Sequence, residues 1–175
     1  MKINDHSPTP RSNLYLVGLM GTGKSTLGKM LAKSLGMSFR DSDQEIEKAA
    51  KMNVSQIFHQ KGEAHFRSLE KDFICHGHPQ ENCLVACGGG LCIPHGMMES
   101  LKERGDVVCL WASITTLVER TSSDKTRPLL QNTNPLSALQ ELLNQREERY
   151  KEADILIETD DLSPVQVVEL IISKL

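Results

Sequence analysis

Aromatic side chains are scarce, at 4% of 175 residues with a single tryptophan. Proteins that hold single-stranded nucleic acid stack bases on such rings, so that class of partner is disfavoured. Neither sign of charge is in marked excess. Lys and Arg number 20 against 23 Asp and Glu, a net charge of −3, and no basic footprint for nucleic acid or an anionic membrane follows from it. Long apolar runs are also missing, and none approaches the length needed to span a bilayer. Residues 1–13 are polar, contain Pro8 and Pro10 and lack the apolar stretch of a signal peptide. Five cysteines cannot all pair, and reduced thiols in a cytoplasmic protein are expected. The length suits one domain with a core of its own, expected over 13–175 behind a loose tail at 1–12.

Short apolar runs are present at 14–17, 37–39, 83–87, 107–111 and 155–157. Between them lie stretches of helical period, such as Leu27, Met30, Leu31 and Leu35. Continuously apolar strands alternating with helices predict an α/β fold whose parallel sheet is covered on both faces. Pro94 suits a first helical position, and Ser163-Pro-Val-Gln166 reads as a capping box with proline at N1. The polar segment 121–134 is long for a connection and is expected to be a lid.

The first apolar run leads into Gly18-Leu-Met-Gly21-Thr-Gly23-Lys24-Ser25, which fills the G-x-x-x-x-G-K-[ST] pattern between a strand and an amphipathic helix. Such a turn aims backbone N–H groups and a helix N-terminus at a phosphate. Lys24 is placed to reach the β- and γ-phosphates, and Ser25 to offer its hydroxyl to Mg²⁺. The motif implies nucleotide binding. The N-K-x-D element of switch GTPases is missing, and neither 83–87 nor 107–111 ends in the acidic residue usual in motors. A metal carboxylate must therefore come from elsewhere, and Phe39-Arg-Asp41-Ser-Asp43 supplies two. On an extended chain Asp41 and Asp43 face one way, towards the end of the sheet where the phosphate loop lies. One can serve the metal through water, and the other can orient an acceptor hydroxyl. The competing reading makes Ser42-Asp-Gln-Glu45 a helix capping box.

With Phe66-Arg67-Ser-Leu-Glu70, Gly88-Gly89-Gly90, Arg127-Pro-Leu-Leu and Arg146-Glu-Glu-Arg149-Tyr150 following in order, the chain resembles the shikimate kinases. That resemblance implies a three-layer P-loop kinase fold with a five-stranded parallel sheet. It also implies transfer of the ATP γ-phosphoryl group to the 3-hydroxyl of shikimate, with Mg²⁺ as cofactor. Its catalytic residues would be Lys24, Asp43 and Arg127. ATP would lie on Gly21, Thr22, Gly23, Lys24, Ser25, Thr26, Arg120 and Arg127. Shikimate would lie on Asp43, Arg67, Gly88, Gly89, Gly90 and Arg146, and the metal on Ser25 and Asp41. Glu70 would hold Arg67 in place, Arg127 would come from the lid, and Arg120 would stand near the adenine. A monomer is expected, with no nucleic-acid or membrane partner. Arginine suits a carboxylate substrate because its fork is planar and permanently charged. The alternatives are a related kinase acting on gluconate or a nucleotide, and an inactive nucleotide-binding module.

The chain departs from this pattern at Cys87, where the family usually carries Ser or Thr; a thiol is a poor partner for a magnesium shell. Zinc ligation fits the cysteines badly: Cys83 and Cys87 share a strand face but are too far apart to chelate. Cys83, Cys92 and Cys109 are expected to pack, as are Phe58 and Phe66. Arg149 is expected on a solvated helix face.

Overall fold

The computed structural model describes residues 12–121 and 134–175. Five strands, β1 (Asn13–Val17), β2 (Ser38–Asp41), β3 (Cys83–Ala86), β4 (Gly105–Trp111) and β5 (Ile155–Glu158), form one parallel sheet in the order β2-β3-β1-β4-β5. The first strand is therefore central, and the order reverses beside it. In open α/β sheets that reversal opens a crevice at the carboxyl ends of the strands.

Side chains alternate across the strands and make two cores. Leu14, Leu16, Leu84, Val108 and Leu110 face α1 (Lys24–Leu35) and α8 (Pro164–Lys174), meeting Leu27, Leu31, Val167 and Ile171. Tyr15, Val17, Val85, Val107 and Cys109 face the opposite layer. That layer contains α2 (Ser42–Ala50), α3 (Val54–Lys61), α4 (Glu63–His76), α5 (Met97–Lys102), α6 (Ile114–Thr121) and α7 (Pro135–Lys151). A fully buried Leu or Ile contributes about 1.5–3 kcal/mol relative to exposure, which makes these two layers the main favourable term. Cys83, Cys87, Cys92 and Cys109 are all buried in the second core, and all five cysteines are free. Among the described residues no helix is long and apolar enough to cross a membrane.

Several local expectations need correction. The second strand runs on to Asp41 rather than stopping at 39, and β3 stops at Ala86. Pro94 does not open a helix; α5 begins at Met97 behind Gly96, whose φ of 81° suits glycine. The cap of α2 is Asp41, whose carboxylate accepts from the Gln44 N–H, and not Ser42. The capping box at Ser163 forms, with Gln166 as its reciprocal partner. Residues 122–133, which hold most of the expected lid, and 1–11 of the expected tail lie outside the described residues.

Candidate active site

The phosphate loop crosses from β1 into α1, and Gly23, at φ 91°, is the helix N-cap. No side chain caps that end and its first turn carries no acid, which leaves its N–H groups and positive end for an anion. Lys24 folds back along the loop, its Nζ donating to the carbonyls of Gly18 and Leu19 at 2.9 Å each. Ser25 donates to Asp41 Oδ2 at 2.6 Å. The two expected metal residues are thus brought together across two elements, although Asp41 is also the cap of α2. Thr22 turns its side chain away from the cleft. It is buried and its hydroxyl donates to the Leu19 carbonyl, so the side chain faces inward.

Loop, β2 end and glycine turn enclose a cleft of about 640 Å³. Gly21, Gly23, Lys24, Ser25 and Thr26 line one side, Asp41 and Asp43 the next. Gly88, Gly89 and Gly90 with Arg146 and Arg120 complete it. Asp43 reaches the cleft by a route other than the expected one. It lies in the first turn of α2, not on an extended strand, because the chain turns helical at Ser42. Its Oδ1 is buried with no hydrogen-bond partner. Burial pushes the carboxyl above its ordinary value, and the Asp41 charge adds to the shift.

At two of the three glycines, Gly88 and Gly90, side chains fill the space a Cβ needs. At Gly88 a Cβ would run into the Asp43 carboxylate, and at Gly90 it would lie 2.6 Å from Arg67 Nη2. Gly88 also donates its N–H to Ser42 Oγ at 2.8 Å, which ties the turn to α2. Arg67 lies against Gly90 with its side chain partly exposed. Its Nη1 lies 2.6 Å from Glu70 Oε2 and its Nη2 2.9 Å from Glu63 Oε1. Glu70 is 1% exposed, and its other oxygen has no partner. Burial pushes Glu70 up to about 7 against the pull of Arg67. For Arg67 burial works the other way, and Glu70 and Glu63 together outweigh it, raising the guanidinium above its usual value.

Arg146, on α7, places Nη1 3.3 Å from the Gly89 carbonyl. Arg120 lies in the last turn of α6, donating to Thr159 Oγ1 at 3.1 Å and to the Thr159 carbonyl at 3.0 Å. Arg149 pairs with Glu152 and Glu99 on the surface, as expected. Phe66 is buried with Phe58 beside it, ring centroids 4.9 Å apart. Cys87 lines the cleft, yet it is 1% exposed, burial holds its thiol well above the ordinary value, and the neutral S–H is directed at the Val85 carbonyl, 3.9 Å away. Arg127 lies outside the described residues.

Sequence reasoning missed Glu47, Val54 and Met20 in the cleft wall. Glu47 was findable, since it follows Asp43 by one helical turn and shares its face. Its carboxylate accepts from the Val54 N–H at 2.8 Å and so fixes the start of α3 at the cleft. Ser42 carried no signal, because its partner lies 46 residues away.

The family model described as Shikimate kinase matches residues 20–175. A curated shikimate kinase from Thermodesulfovibrio yellowstonii is 42% identical, over 93% of this chain and 94% of the relative. The solved structure of shikimate kinase from Acinetobacter baumannii in complex with shikimate superposes with a TM-score of 0.88 at 38% identity, covering 94% of this chain and 92% of that one. A gluconokinase from Sinorhizobium meliloti, 15% identical at a TM-score of 0.56 over 90% of this chain and 87% of its own, shares the fold alone.

Proposed function

Since the chain belongs to the shikimate kinase family, we propose that it transfers the γ-phosphoryl group of ATP to the 3-hydroxyl of shikimate in the cytoplasm, working as a monomer. The observation that carries this is one cleft shared by a phosphate loop, a buried carboxylate and guanidinium groups. Lys24 and the α1 N-terminus hold the phosphates. Asp43, unpartnered at Oδ1, receives the acceptor hydroxyl and takes its hydrogen bond or proton as the bond to phosphorus forms. Little proton chemistry is required, because the transition state of phosphoryl transfer is loose and positioning does most of the work. Arg67 and Arg146 clamp the substrate carboxylate from two sides of the glycine turn. Gly88, Gly89 and Gly90 let the ring lie against the backbone. Arg127 belongs to the phosphates and Arg120 to the adenine side.

Mg²⁺ binds through one or two carboxylates together with phosphates and waters. The hard oxygens of Asp41 and Ser25, 2.6 Å apart at the loop, fit that role. When bound, the ion neutralises charge on the β- and γ-phosphates.

A coupled ATP assay across shikimate, gluconate and AMP tests the reading. Turnover with shikimate alone is expected. Turnover with gluconate or AMP and none with shikimate would overturn it.

A further inference from the structure

The Tyr150 ring is fully buried and stands outside the cleft wall. Its hydroxyl nevertheless donates to the Gly89 carbonyl at 2.6 Å. Arg146, one turn earlier on α7, directs Nη1 at the same oxygen from 3.3 Å and also stands beside the Tyr150 hydroxyl. Residues four apart share a helix face, so two donors from one face converge on one acceptor. A carbonyl oxygen has two lone pairs and can accept both, but the bonds are unequal. The tyrosine bond is short, whereas the arginine bond lies beyond the usual range for N–H···O. Other groups of the turn have other partners: the Gly88 N–H has Ser42, the Gly88 carbonyl the Leu91 N–H, and the Gly90 carbonyl the Ile93 N–H.

We infer that Tyr150 is a positioning residue for the acceptor site: it holds the Gly89 carbonyl so that Arg146 is released to the substrate carboxylate. This rests on the function proposed above. With the hydroxyl in place, Arg146 can leave Gly89 and the carbonyl keeps its stronger partner. Without it, Arg146 is the donor on a part-buried oxygen, and an incoming carboxylate must compete for it. The short bond also fixes the peptide between Gly89 and Gly90, and Gly90 is the residue against which Arg67 lies. One hydroxyl therefore sets the distance between the two arginines that take the carboxylate. Burial holds the phenol above its ordinary value, so it stays a neutral donor throughout the working range of pH.

Tyr150→Phe keeps the ring and removes the donor. Shikimate KM should rise about tenfold, the effect of one hydrogen bond to a charged or buried partner. ATP KM and kcat should stay within about twofold, a split that a general loosening of α7 would not produce. The same change in an Arg146→Ala background, read by calorimetric titration of shikimate, should alter affinity by less than about twofold, because the residue being released is gone. An unchanged shikimate KM in Tyr150→Phe, or an equal loss in both backgrounds, would overturn the inference. Wild-type enzyme that turns over shikimate while Tyr150→Phe matches it defeats this inference alone; wild-type enzyme inert toward shikimate defeats the proposed function as well.

Discussion

Asp43 combines an unpartnered oxygen, burial and a like charge two residues away. Each of these raises the free energy of its ionised form in the folded protein. An acid whose folded-state pKa is raised binds its proton more tightly when folded than when unfolded. Stability is therefore lost as pH climbs from the ordinary value of 3.8 through the raised one. Glu70, ordinarily 4.5 and here about 7, contributes with the same sign. The carboxylate that serves the reaction is thus a local liability. Asp43→Asn should cut kcat by about 10²–10⁴-fold, the usual worth of a positioned acid or base. At about pH 8 it should melt no lower than wild type, with the difference shrinking as pH falls through the titration. Calorimetry alongside the assay checks both, and a lower melting temperature at alkaline pH would contradict the burial argument.

Short elements act as brackets around the glycine turn. The first turn of α2 supplies Asp43 to the cleft and Ser42 to Gly88. A single turn of α4 carries both Arg67 and the buried carboxylate that holds it. The face of α7 brings Arg146 and Tyr150 to Gly89. The turn following β3 is the common partner, and its lack of side chains allows all three to approach. Gly90→Ala would place a methyl 2.6 Å from a guanidinium nitrogen, within contact distance. Held by Glu63 and Glu70, Arg67 cannot retreat without breaking a charge-assisted bond, which is worth about 1.5–3 kcal/mol. Shikimate KM in this variant should therefore rise by about tenfold or more, with ATP KM unchanged. Steady-state kinetics with each substrate varied in turn would show it, and a parallel rise in both constants would count against the bracket.

The molecule as a whole divides its two substrates between layers: α1 brings the phosphate groups to the cleft at its N-terminus. The layer formed by α1 and α8 packs under the sheet, and most of the acceptor groups come from the opposite layer and the ends of the strands. Ile171, fully buried on α8, belongs to the first of these. Its replacement by Ala should cost about 2–5 kcal/mol. At about 2–4 °C per kcal/mol for a chain of this size, that lowers the melting temperature by roughly 5–20 °C. Both KM values measured well below the transition should be unaltered; a selective change in shikimate KM would mean that the two layers are coupled. The sequence by itself determined the five strands, the alternation with helices, the phosphate loop and the Ser163 cap. Those depend on periodicity, dihedral preference and partners only a few residues apart, all of which are local. Tertiary structure decided that Asp41 both caps α2 and meets Ser25 at the cleft, where Asp43 joins it, and it turned Thr22 inward. It also placed Arg67 against Gly90 and joined Tyr150 to a carbonyl 61 residues away. These outcomes follow from which groups the parallel crossovers bring to one end of the sheet, where space, burial and unmet hydrogen bonds are set by elements remote in the chain.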